Sequence, residues 1–222
     1  MLEFPSQRSF GNILLFFKIH ILQNPDAEHS CNIMLAGLIF KVALDLCITL
    51  TTLKNLTLNY TMKKNLIIAG RLREVLLNGR WIANTNYKEQ ILSINWQQAV
   101  QQVSNLNTIA ALTYHVNYYL AGLLNAFEKG KLEMSDKYSF DLPELYSEAD
   151  WNKLVADFLS NSEKFAAQVE QMNDDILDKP FLDEKYGSYL RNIEGVIEHS
   201  YYHLGQISLI RKMILQQETA SR

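Results

Sequence analysis

Cysteine is scarce in this chain of 222 residues: there are two, Cys31 and Cys47, and both lie in the first quarter. The sequence after Met62 therefore has neither a disulfide nor a thiolate metal ligand. This usage of cysteine suits a reducing compartment, and we expect the protein to be cytoplasmic.

Clusters of basic residues are also absent. The chain has 21 lysines and arginines against 24 aspartates and glutamates, a formal net charge of -3 and a pI of about 6.0. Proteins that bind nucleic acids usually present a patch of lysine and arginine. We therefore do not expect a nucleic acid as a partner.

The sequence has no apolar run that suits a membrane helix. Residues 13–22 form a run that is too short to span a bilayer. Residues 33–50 are interrupted by Lys41 and Asp45, each of which costs roughly 2.5 to 3.5 kcal/mol near the centre of a spanning helix. The first residues also fit a secretory signal poorly. We expect neither membrane insertion nor secretion.

The character of the chain changes near residue 60. Residues 49–61 are rich in threonine and leucine without a helical period, whereas a regular amphipathic pattern begins at Met62. We predict an N-terminal extension over residues 1–61 and a folded domain over residues 62–222. One hypothesis is that residues 1–61 come from an over-extended reading frame. The alternative is an accessory segment that packs on the domain or on a membrane surface.

Four long helical patterns follow Met62, and no convincing strand pattern accompanies them. They cover residues 66–77, 106–129, 148–172 and 188–216. We expect Gly79 and Gly130 to end the first two helices, with Gly79 as a left-handed cap, and Ser147 to cap the third. These patterns predict an all-α four-helix bundle. The long connections 131–146 and 173–187 argue against a simple up-and-down order.

Three histidines in two of these helical patterns are candidate metal ligands. His199 and His203 are four residues apart, so that both imidazoles lie on one face of the last helix. His115 lies in the second helical pattern. Three neutral imidazoles that converge from two packed helices would bind a first-row metal and leave positions open for water or substrate. The spacing predicts a metal site, although any one of these histidines has a hydrogen-bonded structural role as its alternative.

The neighbours of the histidines fit a site. Gly195, one turn before His199, leaves room for a ligand or a neighbouring helix, and Gln206 is a candidate hydrogen-bond partner of a ligating histidine. Tyr119, one turn after His115, is the best candidate for lining a pocket. Glu198 precedes His199 outside a His-Glu-x-x-His motif, so we assign it no general-base role. The aromatic loop residues Trp81 and Trp96 are interpreted as lids on the core.

Two stretches resemble a known family. Residues 198–207, Glu-His-Ser-Tyr-Tyr-His-Leu-Gly-Gln-Ile, resemble the closing signature of the DinB-like (YfiT-like) superfamily of metalloenzymes. Residues 110–119, Ala-Ala-Leu-Thr-Tyr-His-Val-Asn-Tyr-Tyr, are similar to its earlier histidine-bearing helix. The resemblance covers nearly all of residues 62–222, including the loops 136–140 and 183–187, and excludes residues 1–61.

The resemblance implies a four-helix bundle with a crossed connection, a homodimer, and a divalent metal, nickel or zinc, bound by His115, His199 and His203. It also implies a small-molecule substrate, which in characterised relatives is a low-molecular-weight thiol. The first functional hypothesis is a metal-dependent transferase or hydrolase whose pocket is shaped by Tyr119 or by the loop that ends at Tyr186, with no catalytic residue assigned. The alternative is a non-enzymatic helical binding or dimerisation module with vestigial or structural histidines.

Overall fold

The structure, a computed structural model, describes residues 41–42, 44–50 and 63–220. The chain divides into two compact units, Met1–Thr61 and Met62–Arg222. In the first unit, the described residues are helical. Most of residues 1–61, including Cys31, lie outside the described residues. So does the hypothesis that this segment comes from an over-extended reading frame.

The described part of the second unit is built from helices and connecting loops. The α-helices are α1 (Lys64–Arg73), α2 (Tyr87–Leu92), α3 (Trp96–Val100), α4 (Ile109–Lys129), α5 (Glu148–Gln171), α6 (Asp174–Leu177) and α7 (Tyr189–Ala220). No strand occurs among these residues, and an isolated bridge joins Pro180 to Ser188. The prediction of an all-α protein is confirmed for this part of the chain. None of the described helices combines the length and apolar character that a membrane crossing needs.

The first helix ends differently from the prediction. It continues beyond α1 as a π-helical turn, Glu74–Asn78, and the backbone N–H of Gly79 donates to the Glu74 carbonyl over 3.2 Å. Gly79 has φ of -92° and is extended, so the expected left-handed cap is wrong. The wider turn satisfies a terminal carbonyl without a left-handed residue. Glycine is needed there for space, because a Cβ atom would overlap the side chain of Glu74.

Side-chain caps fix where α4 and α5 begin. The Thr108 hydroxyl accepts from the Ala111 N–H at 3.1 Å, which starts α4 three residues later than the predicted position. Gly130 ends α4 in the left-handed region with φ of 69°, as predicted. Ser147 caps α5 by accepting from the Asp150 N–H at 3.2 Å, also as predicted.

The long helices enclose one apolar core. Helix α1 packs against α5 and α7, and α4 packs against the same two helices. The largest fully buried side chains include Trp151, Tyr87, Phe158, Phe165 and Phe181. The interpretation of Trp81 as a core lid is wrong, because 89% of this residue is exposed, whereas Trp96 is partly buried and packs against the core. The contact between α4 and α7 positions the histidines.

Candidate metal centre

The three histidines meet where α4 packs against α7. The Nε2 atom of His199 lies 3.1 Å from Nε2 of His115 and 2.9 Å from Nε2 of His203. One nitrogen from each ring lies within 4.8 Å of the other two. His115 and His199 are 84 residues apart in sequence, so the helix packing creates the cluster.

Hydrogen bonds on the far side of two rings determine which nitrogen carries the proton. Nδ1 of His115 lies 3.3 Å from the backbone carbonyl oxygen of Ser139. A carbonyl only accepts, so Nδ1 carries the hydrogen and Nε2 of the neutral ring keeps its lone pair. Nδ1 of His203 lies 2.7 Å from Oε1 of Gln206, and the same tautomer follows with the amide oriented in this way. Both lone pairs are on the nitrogens that approach His199.

Burial keeps the three rings neutral. His115 and His203 are buried, with 7% and 6% of their surface exposed. Desolvation is the largest cause that lowers the pKa of each histidine, and repulsion from His203 adds to it for His115. For His199, burial together with repulsion from His203 and His115 lowers the pKa to about 4. At neutral pH the rings therefore offer lone pairs, as metal binding requires.

Aromatic rings hold the histidine cluster on two sides. Phe140 stacks on His115 with the ring centroids 4.0 Å apart and an interplanar angle of 15°. Tyr119 contacts His115 and His199 edge-on, with centroid separations of 5.1 and 5.2 Å. Its hydroxyl donates to Oδ1 of Asp136 at 3.0 Å. Burial, and then this hydrogen bond, raise the pKa of Tyr119, so the phenol stays protonated at neutral pH.

A cavity of about 570 Å³ adjoins His199. Helix α7 contributes Asn192, Gly195 and Val196, and the other walls come from α4 and the two long loops. The remaining lining residues are Tyr119, Leu123, Leu132, Met134, Ser135, Asp136, Phe181 and Tyr186. The structure thus places a small-molecule-sized space beside the histidines.

Each residue singled out from the sequence has a defined place in this arrangement. The three histidines lie together, Gln206 contacts His203, and Tyr119 and Tyr186 line the cavity. Glu198 forms an exposed ion pair with Arg191 at 3.0 Å, outside the cluster.

Sequence reasoning missed Asp136, Ser139 and Phe140 as individual site residues. They lie in the loop after α4, and Ser139 contacts a histidine 24 residues earlier. The loop has no periodicity that would indicate these contacts. The resemblance of residues 136–140 to a family loop was the one available signal.

The fold and the site define an all-α protein with a buried three-histidine cluster beside a cavity. Comparison of the chain with family models, with curated proteins and with solved structures gave no match. The functional argument therefore rests on the geometry of the cluster and on the residues that surround it.

Proposed function

We propose that the protein is a divalent-metal-dependent enzyme in which His115, His199 and His203 bind the metal. The observation that carries this proposal is the approach of three Nε2 atoms, with separations of 3.1 and 2.9 Å between neighbouring pairs. Metal–imidazole bonds of about 2.0 to 2.1 Å place two ligand nitrogens roughly 2.9 Å apart at a right angle and roughly 3.3 Å apart at a tetrahedral angle. These two separations fall in this range, and the ligand nitrogens of all three rings lie within 4.8 Å of one another.

The surroundings of the histidines favour a metal over a purely structural hydrogen-bonded cluster. Ser139 and Gln206 orient His115 and His203 from behind, which is how outer hydrogen-bond partners usually orient metal-ligating imidazoles. The lone pairs of His115 and His203 both face Nε2 of His199. A single N–H of His199 cannot form two linear hydrogen bonds, whereas a divalent cation would engage all three nitrogens when His199 carries its proton on Nδ1.

For the fold, we propose a four-helix bundle with crossed connectivity like that of the DinB-like superfamily. Two observations support it: α1 and α4 each pack against both α5 and α7, and no close packing joins α1 to α4 or α5 to α7 in the described chain. Among the four long helices, α4 follows α1 and α7 follows α5 along the chain. The two members of each pair would then stand at diagonally opposite corners of the bundle. The connections between them must cross an end of the bundle.

For the reaction, we propose transfer of a low-molecular-weight thiol, or hydrolysis, with nickel or zinc as the metal. When bound, such a metal acts as a Lewis acid that lowers the pKa of a thiol or water in an open coordination position. The chain contributes binding: the cavity would hold the substrate beside His199, and Tyr119 lines this cavity with its ring edge-on to that of His199. A homodimer and a cytoplasmic location remain predictions.

Metal content of the full chain, measured by elemental analysis after purification without an affinity tag, tests the proposal. We expect close to one nickel or zinc ion per chain and its loss in His115→Ala, His199→Ala and His203→Ala. The matched control replaces the two other histidines of the sequence, His20 and His29, with alanine and should keep the metal.

Circular dichroism of each variant separates loss of a ligand from loss of the fold. No metal in the wild-type chain, even after dialysis against nickel or zinc, would overturn the proposal and favour the non-enzymatic helical module. Full occupancy in a folded His199→Ala variant would overturn the ligand assignment.

A further inference from the structure

The cavity beside the histidines has a strongly apolar side. Leu123, Leu132, Met134, Phe181 and Val196 supply it from α4, from both long loops and from α7. Apolar walls favour a ligand with an apolar body, because its burial removes hydrocarbon surface from water. The volume of about 570 Å³ is in the range of sites that hold small organic molecules.

Glycine keeps this space open at position 195. A Cβ atom at Gly195 would meet no other atom within 4 Å, so the residue is not required by helix packing. A glycine inside a helix costs about 0.5 to 1 kcal/mol relative to alanine. The missing side chain therefore leaves cavity volume next to His199 and brings no packing gain.

The polar side of the cavity is rich in hydrogen-bond acceptors. Asp136 is the one carboxylate among the described lining residues, and none of them is lysine or arginine. Its Oδ1 atom accepts from Tyr119, whereas Oδ2 has no protein donor in the described chain. Asn192 uses its amide N–H groups on the carbonyls of Tyr186 and Ser188, both at 2.8 Å, which leaves its Oδ1 atom as a further acceptor.

The cations near the cavity are engaged by other groups. Lys137, which follows Asp136, stands over the ring of Tyr138, 4.4 Å from its centroid. Lys185 stands over the ring of Tyr186, 4.8 Å from its centroid, but it is paired with Asp183 at 3.3 Å. Glu184 follows in the same exposed turn and adds a negative charge. An anionic ligand would therefore meet repulsion at Asp136 without a compensating cation among the described lining residues.

We propose that this cavity binds a substrate with an apolar body and a cationic amine, which the free oxygen of Asp136 recognises. The assignment of this ligand as the substrate rests on the proposed function. Binding itself depends only on the cavity. An ammonium group would donate to Asp136 Oδ2, and the apolar part would lie against the Phe181 side, with Gly195 leaving the space it needs.

The test uses three probes of similar shape and different charge: 2-phenylethylamine, 2-phenylethanol and 3-phenylpropanoate. Their dissociation constants are measured by isothermal titration calorimetry with the full chain in EDTA, so that no metal ligates the amine. A hydrogen bond to a charged group contributes enough to change affinity by about tenfold or more. We therefore expect the amine to bind at least about tenfold more tightly than the carboxylate.

Two variants, each with a matched control, locate the binding. Asp136→Asn should abolish the preference for the amine, whereas Asp157→Asn, which removes an exposed carboxylate on α5, should keep it. Gly195→Leu should fill the cavity and abolish binding of all three probes. Gly205→Leu changes another glycine of α7 with nothing within 4 Å and should bind like the wild type.

Equal affinity for the amine and the carboxylate, absence of binding, or a preference that survives in Asp136→Asn would each overturn this proposal. Metal content measured on the same samples reports separately on the three histidines. A chain that binds the amine through Asp136 but takes up no metal would support the cavity assignment and contradict the proposed function.

Discussion

Acid should destabilise the metal-free protein at a pH where most carboxylates are still ionised. The reason is the buried histidine cluster, in which desolvation lowers the pKa values of His115, His199 and His203. Between its folded and its ordinary pKa, a histidine binds more protons in the unfolded chain than in the folded one. The free energy of unfolding must then fall as the pH falls through this interval.

His199 allows the magnitude to be worked out. Its folded pKa is about 4 and its ordinary value is 6.5. At pH 5 the unfolded residue is almost fully protonated while the folded one is mostly neutral, and each pH unit below 6.5 costs about 1.4 kcal/mol. Acidification from pH 7.5 to 5 should therefore remove at most about 2 kcal/mol through His199 alone, with further losses from the other two histidines.

Urea unfolding in EDTA at pH 7.5 and pH 5, followed by circular dichroism, measures this difference. The control is His199→Met, which cannot titrate and should show a smaller loss between the two pH values. Glu133, Asp150 and Asp183 also have lowered pKa values, but their ordinary values are 4.5, 3.8 and 3.8, so their stabilising effect is lost mainly below pH 5. Equal stability at the two pH values, or the same loss in His199→Met, would refute the reasoning.

Three further substitutions have expected outcomes. Gln206→Met removes the 2.7 Å contact with His203 and should weaken zinc affinity by about 10- to 100-fold in a competition titration with a chelator, while far-ultraviolet circular dichroism stays unchanged. Ser147→Ala removes the cap of α5 and should cost about 1 kcal/mol in urea unfolding. Phe158→Ala empties a fully buried position beside the ring of Tyr87 and should cost about 3 to 5 kcal/mol, measured by the same unfolding.

The sequence was informative where periodicity and capping act locally. Helices α4, α5 and α7 follow from apolar residues at three- and four-residue steps, and Gly130 and Ser147 mark ends that the structure keeps. The π-helical turn after α1 has no comparable signal. It depends on Glu74, whose side chain accepts from the Ile82 N–H and the Tyr201 hydroxyl, and Tyr201 lies 127 residues away.

The histidine cluster likewise has one part that local sequence patterns predict and another that depends on distant contacts. The pairing of His199 with His203 follows from helix geometry alone. The sequence also indicated His115 as a candidate ligand, but its approach to the pair depends on the packing of α4 against α7, which no local pattern specifies. The contributions of Ser139 and Asp136 could not be predicted, because they depend on the path of an irregular loop. That path is fixed by Tyr118 and Tyr119, whose hydroxyls donate to the Ser135 carbonyl and to Asp136 at 2.9 and 3.0 Å.

The loop after α4 serves the cluster and the cavity at once. Ser139 orients His115 through its carbonyl, and its hydroxyl donates to the carbonyl of Asp136, which lines the cavity. Substitutions in this loop that change which ligands the cavity accepts are therefore constrained. A shift of Asp136 would also displace the Ser139 carbonyl, which orients His115. The α7 wall at Asn192 and Gly195 lacks this linkage to His115. Redesign of the cavity for new ligands should begin there, because substitutions at Asn192 and Gly195 leave the loop that orients His115 unchanged.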